Sequence, residues 1–71
     1  MMKLMINPYE QPNPGSLIDC MQIAEAEGCE FLGGGWNDCC AIVVESRSQY
    51  IKVKALLEVF EISICHEVGA L

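Results

Sequence analysis

Residues 39–45 read Cys39-Cys40-Ala41-Ile42-Val43-Val44-Glu45, and the middle of that run is apolar without interruption. Successive side chains of a strand point to opposite faces. A strand with apolar residues on both faces belongs in the middle of a sheet. Ahead of it, Cys29–Leu32 is a second β-like run, and Gly33-Gly34-Gly35-Trp36-Asn37-Asp38 between the two is turn chemistry. The spacing predicts a hairpin of Cys29–Leu32 with Cys39–Glu45.

On the C-terminal side, Ser46 with Gln49 three residues later is a helix start. The helix it opens shows Tyr50, Val53, Leu57 and Phe60 on one face. Glu58 and Glu61 fall at its end, the unfavourable sign for a helix C-terminus. Ile62–Val68 then alternates Ile62, Ile64 and Val68 against Ser63, Cys65 and Glu67, as a half-buried strand would. On the N-terminal side, Ser16 with Asp19 three places on resembles a capping box, and Gly28 is a left-handed stop, which predicts a helix over Leu17–Glu27. Its expected buried stripe is Leu17, Cys20, Met21 and Ala24. Three prolines and two asparagines in 7–15 predict a stiff, irregular loop, and Lys3–Ile6 a short first strand.

Strand, helix, hairpin of two strands, helix, strand is the order of the split βαβ arrangement, and it resembles ferredoxin-like domains. The expected fold is α+β: a ferredoxin-like βαββαβ two-layer sandwich, a single domain over 1–71, with two helices on one face of a four-stranded antiparallel sheet. The other sheet face should present Met5, Leu32, Ala41, Val43 and Cys65, ringed by Lys3, Glu30 and Glu67. An apolar patch with a charged rim reads as a docking surface, a dimer interface or partner site; the alternative is a merely weakly polar face.

Charge separates the chain into two parts. Residues 4–46 hold seven carboxylates (Glu10, Asp19, Glu25, Glu27, Glu30, Asp38 and Glu45) and neither lysine nor arginine, in a protein of net charge −6. Such a one-signed surface repels nucleic acid and anionic lipid and attracts basic partners. With 52% hydrophobic residues and a mean hydropathy of +0.29, the acids decorate a packed body, not a disordered tail. No apolar run is long enough to span a bilayer. Met1–Ile6 is too short for a signal-peptide core, so the five cysteines are expected as free thiols in a cytoplasmic protein.

Catalytic and metal chemistry find little support. His66 is the one imidazole, and its neighbour Cys65 should point to the opposite face of a strand. The glycines of 33–35 lead into a strand, whereas a phosphate loop leads into a helix. No Cys-x-x-Cys pair occurs, and Cys39 and Cys40 are adjacent, so neither a metal nor a cofactor is expected. An RNA-recognition sheet needs stacking aromatics and a basic surround. Lys3–Ile6 and Cys39–Glu45 contain no aromatic residue.

Pro14-Gly15-Ser16-Leu17, between the first strand and helix, resembles the Pro-Gly-x-Leu signature of ACT-like regulatory domains. By that resemblance Asn13 and Gly15 would face a small-molecule ligand, an amino acid for instance, at a homodimer interface; Pro-Gly as a helix-entry turn is the alternative. In size and charge the chain also resembles small acidic inhibitors of phages and other mobile elements, including those that block CRISPR complexes. On that reading it is a protein-binding module whose partner is a larger basic protein or nucleoprotein complex, and Glu25, Glu27, Glu30 and Asp38 imitate phosphates beside Trp36. Trp36, at the hairpin tip, is either an interface anchor or folds back over the sheet edge.

Overall fold

The computed structural model describes residues 1–13, 15–33 and 39–71. It is α+β, with β1 (Met2–Ile6), a one-turn 3-10 helix (Pro8–Glu10), α1 (Ser16–Ala26), β2 (Glu30–Leu32), β3 (Cys40–Val44), α2 (Arg47–Val59) and β4 (His66–Gly69). The strands form one antiparallel sheet in the order β2-β3-β1-β4. Cys40–Val44 is buried along its whole length between β1 and β2, as its sequence demands. The connection through α1 joins strands separated by β3, and the connection through α2 joins strands separated by β1.

Alternation sorts the sheet into two faces. Leu4 and Ile6 of β1 share one face with Cys40, Ile42 and Val44 of β3. Cys20, Ile23 and Ala24 of α1 and Val53 and Leu57 of α2 pack against them in one cluster, so both helices cover that face. Ile62 plugs the cluster from the segment after α2.

The buried side of α1 is turned from the expected stripe. Cys20 and Ala24 are buried, but Ile23 and Ser16 accompany them, while Leu17 and Met21 are exposed at 39% and 49%. Ser16 is also not the cap. It is the first helical residue, Gly15 is the N-cap without a side-chain bond, and the Ser16 hydroxyl donates to the Pro8 carbonyl at 3.2 Å. Asp19 simply continues the ladder, its N–H donating to the Gly15 carbonyl. The loop ahead is more regular than its prolines imply: Asn7 accepts the Tyr9 N–H at 3.0 Å and caps the 3-10 turn.

α2 begins as its sequence reads. Ser46 Oγ accepts the Gln49 N–H at 3.1 Å, and Gln49 Oε1 accepts the Glu45 N–H at 2.9 Å. Val53 and Leu57 are buried and Tyr50 is partly so, whereas Phe60 is the C-cap and 39% exposed. The last strand is shorter than Ile62–Val68. Glu61 adopts φ 60°, which turns the chain so that the Ile62 N–H donates back to the Leu57 carbonyl at 2.8 Å. The Gln11 side-chain amide then bonds both backbone groups of Ser63, at 2.7 and 3.0 Å, occupying groups a strand neighbour would need. Strand pairing resumes only at His66, all four residues of β4 are exposed, and the strand is not half-buried.

Candidate functional site

The C-terminal end of α1 holds two of the acidic candidates. Glu25 lies in the last turn and is exposed. Five residues beyond buried Cys20, it is turned roughly 140° from the core direction. Glu27 is the half-buried C-cap, after which Gly28 takes φ 68° and the Cys29 N–H closes the helix on the Ala24 carbonyl at 2.8 Å. Carboxylates at this end oppose the helix dipole, and no basic residue stands in the last turn.

A residue that sequence reasoning explained as a strand end joins them. Glu45 is exposed, and Gln49, which accepts its N–H, also donates to the Glu27 carbonyl at 3.4 Å. Gln49 therefore ties the end of α1 to the start of α2. Burial pushes the Cys29 thiol up, and the Glu27 and Glu45 carboxylates push it further. The signal was present in the Glu45–Gln49 spacing. Only the fold shows that the same amide reaches Glu27.

Glu30 is elsewhere. It pairs with Val43, while Phe31 next to it packs on the core, so Glu30 projects from the sheet face away from the helices. The sequence-predicted acids therefore divide: Glu25 and Glu27 at the end of α1, Glu30 on the far side of the sheet. Trp36 and Asp38 lie outside the described residues.

Among the described residues, one ion pair occurs, Lys54 with Glu67 at 3.4 Å. Lys54 also donates to the Tyr50 hydroxyl at 3.0 Å. The Tyr50 hydroxyl, and after it Glu67, raise the Lys54 ammonium; the same hydroxyl and then Lys54 hold the Glu67 carboxyl below its ordinary value. Glu67 thus faces α2, not the open side of the sheet. His66 and Val68 take the open side, opposite Met5 and Lys3.

Pro8, Tyr9, Gln11, Pro12, Asn13 and Leu17 line a cleft of about 530 Å³. Asn13 contributes to it, and its carbonyl accepts the Ser16 N–H at 3.3 Å. Gly15 has φ −91°, and a Cβ built on it would meet nothing within 4 Å. Its backbone is open to approach, although its conformation suits any residue.

The described thiols are unpaired as disulfides. Interaction with the neighbouring Cys40 thiol, and then burial, pushes the buried Cys20 thiol up, whereas interaction with Cys20 pulls Cys40 down. Among the described residues, no three Cys, His, Asp or Glu side chains gather as metal ligands. No helix among them is long and apolar enough to cross a membrane. Comparison of the chain with protein-family models, with curated proteins and with solved structures gives no match.

Proposed function

We propose that this protein is a small acidic binding module, an inhibitor or regulator that occupies a basic, nucleic-acid-binding surface of a larger protein. One observation carries the reading: among the described residues, the carboxylates of 4–46 make no ion pair, and the single ion pair lies in the part of the chain that owns most of the cations. Glu25, Glu27 and Glu45 stand at one end of the helix layer, where Glu25 and Glu27 oppose the dipole of α1. Their use is outward: they meet lysines and arginines of a partner in place of phosphates, with Glu30, Asp38 and Trp36 as further contacts. The interleaved strand order supports a ferredoxin-like arrangement of the sheet as the scaffold.

Affinity capture with the intact chain tests it. A basic partner should be retained in low salt and released near 0.5 M salt, where the screening length falls to a few ångströms, about 3–5 Å. The double substitution Glu25→Lys with Glu27→Lys should abolish capture. Retention unaffected by both changes sinks the proposal.

A second reading follows from the cleft. A homodimeric ACT-like domain sensing an amino acid would use Asn13 and the open backbone at Gly15. Thermal-shift screening against amino acids decides it, since a ligand at 100 times its dissociation constant adds about 2.7 kcal/mol.

A further inference from the structure

The sheet face turned away from the helices is laid out symmetrically about β3. Its register gives two rows across the strands. One runs Leu32, Ala41, Met5, His66; the other runs Glu30, Val43, Lys3, Val68. In both rows the β3 residue is small and buried, at 3% for Ala41 and 2% for Val43. The groups that reach solvent stand on the flanking strands: Leu32 is 38% and Val68 48% exposed, Glu30 is exposed, and Lys3 and Met5 are half-buried. Neither helix packs on this face, because both share the core cluster on the other.

We propose that this face binds a second copy of the chain, with a two-fold axis running along β3 between the two sheets. That operation lays β3 over the partner's β3 and exchanges β1 with β2. Each strand is about 4.8 Å from β3 and stacked sheets lie about 10 Å apart, so side chains at matching row positions meet. Lys3 of one copy then stands over Glu30 of the other, twice, and Met5 over Leu32, twice, as an isologous contact requires. Charge chooses this occupant. Glu30 and Lys3 cancel in a molecule of net charge −6, so the face offers no net field to a basic or an acidic partner, while it complements itself. The dimer takes Glu30 out of the contacts available to a basic partner and leaves Glu25, Glu27 and Glu45 free, so it stands or falls separately from the proposal that those three acids bind a basic protein.

The test is sedimentation equilibrium of the intact chain up to about 1 mM, where even a complex of that dissociation constant is half-formed. Expected are two 7.8 kDa chains per particle. Lys3→Glu and Glu30→Lys, each acting twice in the symmetric dimer, should weaken association by about tenfold or more, and the combined charge swap should restore it. Circular dichroism establishes that each variant is folded. A wild-type monomer throughout this range, a dimer indifferent to both single changes, or a folded double swap that stays monomeric each overturns the proposal. Wild-type protein mixed from labelled and unlabelled copies gives a readout that no substitution can spoil: filtered NOEs between the Met5 methyl and the Leu32 methyls of different copies are expected, and their absence in a dimer overturns the assigned face.

Discussion

Glu61 holds φ 60°, a left-handed conformation that costs a residue with a Cβ roughly 1 kcal/mol and glycine almost nothing. It also follows the Phe60 C-cap of α2, an end of a helix that disfavours negative charge. Glu61→Gly should therefore stabilise the protein by about 1 kcal/mol, read as an upward shift of the urea midpoint without a change in slope. The thiols give a second residue-level prediction. Cys65 is exposed and should react first with a thiol reagent, whereas Cys20 and Cys40, sealed in the core, should react only as the protein opens. Cys29 has its folded pKa raised above 9.0, so the contribution of its neutral thiol is complete below that value and is lost as pH rises through the folded pKa. Thermal melts should show stability declining on the alkaline side of 9, less so in Cys29→Ser. The contrast between Ser46 and Ser16 shows what single residues disclose. Ser46 caps a helix through a partner three residues on, and local spacing suffices to read it. Ser16 spends its hydroxyl on Pro8, eight residues back, and the fold of the loop decides that.

At the level of elements, α1 separates what periodicity tells from what packing decides. Leu17, Cys20, Met21 and Ala24 lie on one arc of the helix, but Cys20, Ala24 and Ile23 lie on another only slightly rotated, and both arcs are apolar. The fold selects the arc with Ile23, which leaves Leu17, Ile18 and Met21 in solvent. Ile23→Ala should cost about 2–4 kcal/mol, and Met21→Ala well under about 1 kcal/mol, by chemical denaturation. Equal costs would contradict the packing. The fourth strand was legible in position but not in extent. Its alternation from Ile62 onward is real, yet Ile62 is held by the local turn at Glu61, and Ser63 by Gln11, a contact that reaches across 52 residues and leaves no trace in local pattern. The inner strand, by contrast, needs no long-range information, since an unbroken apolar run can sit nowhere else.

For the whole molecule the governing term is unneutralised charge. At pH 7 the net charge of −6 is spread over a small body whose described carboxylates, Glu67 excepted, lack cationic partners. Self-repulsion of this kind is screened by salt. Adding about 0.5 M sodium chloride should raise the melting temperature, whereas the same addition should weaken capture of a basic partner. A melting temperature that fell with salt would mean that attractive pairs outweigh the repulsion. The acidic surface itself was readable from composition, but its division was not. Glu30 parts from Glu25 and Glu27 because a three-residue strand alternates its side chains, and no count of charges contains that.

The interleaving of the strands governs how the chain must assemble in time. β1 is made first, yet its neighbours begin at Cys40 and His66, and even its nearest registered pair along the chain, Ile6 with Cys40, must close over the whole of α1 and β2. A growing chain can form α1 early, but its opening strand has nothing to pair with until β3 appears. Closing distant pairs before any local reward slows folding, so this small protein should refold in milliseconds or longer rather than in the microseconds open to helical chains of its length.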